Sequence, residues 1–381
     1  MRIRYGSHTI NGTDIKSIEN VLKNDFLTQG KHVKKFENAL KIKFGSKYCS
    51  VLSSGTAALH LSVMALSIPK NFKIITTPLT FVATANSIIM NNLKPDLVDI
   101  DLNTSTIDLN KLEHKLKKDN KIKAVIALDY AGNVCDWKSL NFLARKYNIK
   151  LINDNCHAIG SKYNDNIKYA SQFADVVIQS YHPVKAITTA EGGSILTNNK
   201  KIYESINLIK NHGIIRDKNL SKKFGAWFYS IKKLGYNYRI SDIQCALGIS
   251  QLKRLNQFIL ARRKIAKIYD KAFSNISKLQ IPQVREKCYH SYHLYPLLID
   301  FKKTKVNKKE FFIKLQSSGI YVQVHYLPIH YHEYYKKKFN FKKGDFPNSE
   351  DFYNKEVSLP IYPLLKKKYV FKVIDNIIKN L

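Results

Sequence analysis

Ile149-Lys150-Leu151-Ile152-Asn153-Asp154 is a short run rich in β-branched residues that closes on a carboxylate, and Ala174-Asp175-Val176-Val177-Ile178-Gln179 repeats its pattern just before Ser180. Three earlier runs share this character: Lys73-Ile74-Ile75-Thr76-Thr77, Pro95-Asp96-Leu97-Val98-Asp99-Ile100 and Ala124-Val125-Ile126-Ala127-Leu128. Short β-branched runs that alternate with helical segments predict mostly parallel strands covered on both faces. Helical periodicity fits 14–24, 33–44, 57–65 and 109–118, and Ser53-Ser54 supplies an N-terminal signal for the third. The fold class expected is therefore α/β. In such sheets the active groups gather at the carboxyl ends of the strands, which is where Asp154 and Ser180 stand.

The chain has 381 residues, more than one small core organises, and typical domain sizes divide it in two. A single long helix is predicted from Ser241 through Tyr269. It carries the chain from a large α/β domain, 1–255, into a smaller C-terminal α+β domain, 256–381, where a strand over 292–300, a helix over 308–317 and a strand over 321–326 follow. Apolar residues make up 44% and aromatics 12%, which supports a globular core and argues against disorder. The start MRIRYGSHTING has no apolar signal region, and no run of about 18 uncharged apolar residues occurs, so the cytoplasm is the expected compartment and no membrane partner is expected. Cys49, Cys135, Cys156, Cys245 and Cys288 are odd in number and lack a C-x-x-C pair, which predicts reduced, mostly buried thiols and no metal site. The formal charge of +34 is spread along the whole chain and raises the local concentration of anions, nucleotides included. It also makes a basic nucleic-acid-binding protein the rival reading from another class. No zinc finger, RNP-type aromatic motif or basic zipper helix is present, so no nucleic-acid partner is expected.

Several segments carry groups that can do chemistry, each with a plainer alternative. Ser53-Ser54-Gly55-Thr56-Ala57-Ala58-Leu59 joins a strand to a helix, so free N–H groups and the Thr56 hydroxyl can cradle a phosphate; the alternative is an ordinary capped helix. Asp154, at a strand end, is placed to pair with a cationic ring nitrogen, although a single Asp is more often a turn or cap residue. Lys185 lies 31 residues further on in Ser180-Tyr181-His182-Pro183-Val184-Lys185-Ala186-Ile187-Thr188-Thr189-Ala190-Glu191-Gly192-Gly193, the lone cation of that stretch. A partly desolvated lysine has a lowered pKa and becomes an amine nucleophile; the alternative is one more surface lysine. Gly235-Tyr236-Asn237-Tyr238-Arg239-Ile240-Ser241-Asp242 offers an amide and a guanidinium to an anion, or else is simply a helix entrance. His60, His114 and His212 show no metal spacing, whereas His325, Tyr326, His330, Tyr331 and His332 read as one polar aromatic cluster.

Taken in order, SSGTAAL, TTPLTFVATAN, NDNCHAIG, SYHPVKAITTAEGG, GYNYRISDIQCALG, YHLYP and VQVHY resemble the sugar aminotransferases of the DegT/DnrJ/EryC1/StrS family. The likeness runs from Leu27-Thr28-Gln29-Gly30 to Ser358-Leu359-Pro360. It implies the aspartate aminotransferase-like fold type I of enzymes that use pyridoxal 5′-phosphate (PLP). SYHPVK, GYNYRISD and VQVHYLP look most like the branch of pseudaminic acid synthesis that moves nitrogen from L-glutamate to C4 of a UDP-linked 4-keto-6-deoxy-N-acetylhexosamine. The alternative substrate is another nucleotide-linked keto sugar, such as a UDP-4-keto-pentose.

Carried over position by position, the resemblance implies that Lys185 holds the cofactor covalently and shuttles protons, and that Asp154 pairs with its pyridinium nitrogen. His157 stands near its phenolic oxygen and Phe81 stacks on its ring. Thr56, the Ala57 backbone and Ser180 bind cofactor phosphate or substrate, and Asn237 reaches the phosphate from a neighbouring subunit, which implies a homodimer with active sites at its interface. Tyr5, Leu27, Thr28, Gln29, Gly30, Gln323, Val324, His325 and Tyr326 are implied substrate contacts. Two positions depart from the family's habit: Ala190 replaces a common glycine, and Asn153 replaces a common acidic residue beside Asp154. The lysine at 185 favours transamination over the dehydration catalysed by relatives with histidine there.

Overall fold

The structure, a computed structural model, describes residues 2–381. Its centre is a seven-stranded sheet of β1 (Tyr48–Leu52), β2 (Lys73–Thr76), β3 (Lys94–Leu97), β4 (Ile122–Leu128), β5 (Lys150–Asp154), β6 (Val176–Ser180) and β7 (Gly193–Thr197), in the order β1-β7-β6-β5-β4-β2-β3. Only β7 runs against its neighbours; the other pairings are parallel. Both faces are covered, as the short β-branched runs predict. Ile74, Ala124, Ile126, Ile152, Val176 and Ile178 pack into one apolar cluster, and Ile75, Val125, Ala127, Leu151 and Val177 pack into the other. This is the two-residue period of a strand buried on both sides.

Helices α1 (Gly55–Ala65) and α2 (Val82–Met90) follow β1 and β2, so their amino ends stand at the carboxyl edge of the sheet. Two glycines permit the close fit there. A Cβ on Gly55 would meet Ser180 Cβ at 2.7 Å, and a Cβ on Gly193 would meet the Ser54 carbonyl oxygen at 2.5 Å. Ala190, where a glycine is common, has φ +66, a left-handed backbone that costs a β-carbon roughly 1–2 kcal/mol.

The predicted Ser241–Tyr269 helix is two helices, α3 (Asp242–Lys253) and α4 (Leu255–Phe273). The break falls at Arg254, with φ −99 and ψ 2, whose N–H turns to the nearer Gln251 carbonyl. There the buried carboxylate of Asp14 gathers Ser250 Oγ, Gln251 Nε2 and the Arg254 guanidinium. Helix α4 then bridges two cores, with Leu255, Phe258 and Ile259 in the sheet cluster and Ile265, Ala266, Tyr269 and Phe273 in the second.

That second core surrounds a three-stranded sheet of β8 (Leu279–Gln280), β9 (Tyr295–Ile299) and β10 (Glu356–Leu359). Two stretches cross the expected division at 255/256. Ile3-Arg4 pairs with Ile320-Tyr321 and buries Ile3 in the second core, while Ile329 and Tyr335 pack on Ala85 of α2 and Leu97 of β3. The strand expected over 321–326 pairs regularly only at Ile320-Tyr321. Beyond it one bridge, Gln323 to Ser358, remains, and the His325 N–H goes to the Glu356 carboxylate instead of a backbone carbonyl. All five cysteines are free.

Candidate active site

A cavity of about 520 Å³ opens at the carboxyl edge of the sheet, against the 323–326 segment. The large sheet and its helices contribute Thr56, Phe81, Asp154, His157, Ser180 and Lys185 to its lining. Tyr5, Gln323, Val324, His325 and Tyr326 enter from the second core. Tyr5 is there because its carbonyl accepts from Ile361 N–H, next to the paired Ile3-Arg4.

Asp154 ends β5 in register with Leu128 and Ile178 and is buried. Thr84 Oγ1 donates to its Oδ2 at 3.1 Å, and the Cys156 N–H donates to Oδ1 at 3.2 Å. Behind it, the buried Asp129 accepts from Cys135 N–H, Trp137 Nε1, Asn153 Nδ2, Asn155 Nδ2 and Tyr169 Oη, at 2.7–3.2 Å. This explains Asn153: a carboxylate there would face Asp129, whereas the amide donates to it. Burial pushes the Asp129 carboxyl up, and its donors oppose that shift.

Lys185 Nζ lies 3.3 Å from His293 Nε2. Burial lowers its pKa, against the pull of Cys156 and Asp154, which leaves a larger share of the amine unprotonated than in a surface lysine. His157 Nδ1 lies 3.3 Å from the Ala131 N–H, a donor only, so the imidazole proton sits on Nε2 and is given to Tyr326 Oη at 2.9 Å. At the other end of the cavity Ser54 caps α1 by accepting the Ala57 N–H at 3.0 Å. The Ala57 backbone, an expected phosphate ligand, is thus already engaged. The N–H groups of Gly55 and Thr56, with the Thr56 and Ser180 hydroxyls, are what the helix start offers an anion.

Other expected contacts lie elsewhere in the single chain. Asn237 bridges Asn211, Thr28 bridges Ser241, and Gly30 N–H donates to Asp242 at 2.7 Å; neither these residues nor Leu27 and Gln29 line the cavity. The polar cluster expected over 325–332 is divided. His325 and Tyr326 face the cavity, whereas His330 Nε2 is 2.9 Å from Glu350 Oε1 and packs on Phe346. Sequence reasoning missed Thr84 and His293, although both sit inside quoted motifs, TTPLTFVATAN and YHLYP. Nothing local distinguishes a threonine aimed at a carboxylate from one that merely fills a helix.

The chain matches the DegT/DnrJ/EryC1/StrS aminotransferase family over residues 8–378. It belongs to that family. Its relatives include the UDP-4-amino-4,6-dideoxy-N-acetyl-β-L-altrosamine transaminase of Campylobacter jejuni, 39% identical over 376 residues, which cover 98% of this chain and 96% of the relative. Among solved structures, Helicobacter pylori PseC, an aminotransferase of pseudaminic acid biosynthesis, superposes with TM-score 0.92 at 33% identity and covers 100% and 99% of the two chains. A Streptococcus pneumoniae protein solved in a PLP form superposes with TM-score 0.90 at 26% identity over the full length of both chains.

The protein is a DegT-type aminotransferase, and PLP is its cofactor. The site fits that group. A partly buried amine with a lowered pKa suits its aldehyde, a fixed carboxylate suits its ring nitrogen, and an open helix start suits its phosphate.

The buried histidines of this region make stability depend on pH. Burial lowers the pKa of His157, His290, His293 and His325, the second and fourth to about 3. Each is neutral in the fold and takes up a proton on unfolding below about pH 6.5, so its contribution is complete above that pH and declines as pH falls, by at most about 1.4 kcal/mol per pH unit. The midpoint of thermal unfolding should therefore drop between about pH 6.5 and 5. A flat or rising midpoint across that window would show that these rings are not held neutral.

Proposed function

We propose that this protein moves an amino group from L-glutamate to C4 of a UDP-linked 4-keto-6-deoxy-N-acetylhexosamine, the reaction of pseudaminic acid synthesis. The observation that carries this reading is one cavity bringing together Lys185, Asp154 and the open start of α1 in a chain 39% identical, over nearly its full length, to a transaminase of that name.

PLP, when bound, supplies an electron sink for the carbon next to nitrogen, and the protein supplies placement. Lys185 would hold the cofactor through Nζ and, when that atom is free, would move a proton there. Asp154 keeps the ring nitrogen protonated, with Thr84 and Cys156 N–H holding its carboxylate in place. His157, oriented by Ala131 N–H and Tyr326, would stand by the phenolic oxygen of the bound cofactor. Phe81, exposed at the amino end of α2, offers a ring face. Thr56 and Ser180 take the phosphate. Tyr5 and Gln323 to Tyr326 hold the sugar nucleotide, whose diphosphate suits a chain of net charge +34.

Asn237 and Leu27–Gly30 reach a site by serving a second copy, so the active unit in this reading is a homodimer. The exposed apolar residues nearby support it: Phe26, Trp227 and Leu234 are 80%, 77% and 81% exposed in the single chain. No helix of the described residues is long and apolar enough to cross a membrane, and we place the enzyme in the cytoplasm.

The test is spectroscopic. Purified protein with PLP should show a visible band that fades with L-glutamate and returns when the UDP-linked 4-keto-6-deoxy-N-acetylhexosamine is added. A protein that never takes up PLP would sink the reading at its root. A band restored only by a different nucleotide-linked keto sugar, such as a UDP-4-keto-pentose, would replace the substrate.

A further inference from the structure

Behind the cavity wall lies a buried carboxylate that has no part in the chemistry above. Glu356, at the start of β10, has no exposed surface. Its Oε2 accepts the His325 N–H at 2.9 Å, and its Oε1 accepts the hydroxyl of Ser358. Ser358 Oγ lies 2.8 Å from His325 Nδ1. Backbone pairing holds the frame: Ser358 N–H donates to the Gln323 carbonyl at 2.8 Å, so the 323–325 segment cannot shift without leaving β10.

The direction of the hydrogens follows from counting them. An ionised carboxylate only accepts, and a serine hydroxyl has one proton. If Ser358 gives that proton to Glu356, its oxygen can only accept from His325, so the His325 proton must sit on Nδ1. Nε2 makes no hydrogen bond within the described chain, and the ring lines the cavity beside Tyr5, with ring centroids 5.2 Å apart. The proton pattern could be reversed only if Glu356 were protonated. Burial pushes the Glu356 carboxyl up to about 7, against the Ser358 hydroxyl, the Lys308 charge and the His325 N–H, so the ionised form and this proton pattern prevail above that pH.

We infer that Glu356 is a positioning residue: through Ser358 it fixes the His325 proton on Nδ1, so that Nε2 faces the cavity as a hydrogen-bond acceptor for a hydroxyl or amide N–H of the sugar substrate. The inference rests on the sugar aminotransferase reading for its ligand, but the tautomer itself does not. A site that offers an acceptor favours a donor-bearing group, since a wrong pairing leaves buried polar atoms unmatched.

Glu356→Gln tests it. The single amide oxygen must serve the His325 N–H, so the amide nitrogen faces Ser358 and donates to it. Ser358 must then donate to Nδ1, and the His325 proton moves to Nε2. In holoenzyme labelled with ¹⁵N-histidine at about pH 8, above the ordinary histidine range, the His325 signal, assigned with His325→Asn, should report Nδ1–H in the parent protein and Nε2–H in Glu356→Gln. KM for the UDP-keto sugar should rise about tenfold, the scale of one mispaired hydrogen bond, with kcat changed less than about threefold. Ser358→Ala should raise KM likewise, and Ser358→Thr, which restores the hydroxyl, should return it to the parent value. An Nε2–H parent, an unmoved tautomer in Glu356→Gln, or a moved tautomer with unchanged KM overturns the inference. If the parent protein turns over no UDP-keto sugar, the functional reading fails while the NMR result still decides the relay.

Discussion

Lys185→Ala is expected to abolish amino transfer and the visible band of the PLP-loaded protein together. The side chain is the amine of the cavity, lowered in pKa by burial and set 3.3 Å from His293. In the proposed cycle it serves twice, as the group that holds the cofactor and as the group that moves the proton. Proton transfer by a positioned side chain supplies about 10²–10⁴-fold, and loss of the covalent hold on the cofactor adds to it, so the rate should fall by more than about 10²-fold. Truncation removes a buried amine and leaves no charge unpaired, because among the described residues no carboxylate forms an ion pair with Lys185; the protein should fold, and its thermal midpoint should stay near that of the parent. Single-turnover assays with glutamate, read beside the absorbance spectrum, provide the check. A purified Lys185→Ala protein that kept about a tenth of the parent rate or more would remove Lys185 from the mechanism.

The second large effect is expected at Asp154. Asp154→Asn keeps the size and removes the charge, so the residue can no longer hold a proton on the cofactor's ring nitrogen. Both present hydrogen bonds arrive from donors, Thr84 Oγ1 and Cys156 N–H, one at each carboxylate oxygen. An amide turns its oxygen to the Cys156 N–H and its own N–H₂ to Thr84 Oγ1, which can accept and give its proton to Thr80 Oγ1 at 3.0 Å. The transfer rate should fall about 10²–10³-fold, the scale seen when one preorganised electrostatic partner is lost. The thermal midpoint should stay near that of the parent, because no donor is left unmatched. A fall in kcat with an unchanged midpoint separates the lost charge from any change in packing. An Asp154→Asn enzyme with the parent kcat would show that the carboxylate does not face the ring nitrogen.

Much of this was legible in the chain because it depends on local chemistry. The five β-branched runs became the parallel strands, since alternate residues of a strand buried on both faces must all be largely apolar. Helix 308–317 has in the structure the bounds read from the sequence, and there Asn307 and Glu310 form a reciprocal cap at its start. The break at Arg254 was not legible. It answers to Asp14, some 240 residues earlier, whose buried charge collects three donors from the helix end. The 321–326 segment failed as a strand for a similar reason: the Glu356 side chain takes the place of a ladder partner, and periodicity says nothing of that exchange.

The sequence by itself determined the fold class, the family and the residues that end strands at the active edge, among them Asp154, Ser180 and the lysine that follows them. These features reside in short-range patterns and in motifs whose order along the chain carries information. Only the tertiary structure decided which of the implied residues share one cavity. It brought Tyr5 and His325 beside Lys185 and left Asn237 and Leu27–Gly30 outside the single chain's site. It also decided the protons, placing Ala131 N–H on His157, Ser358 between His325 and Glu356, and Asn153 against Asp129. A hydrogen bond is a matter of distance and direction between groups far apart in sequence, and those are set only when the two cores close on each other.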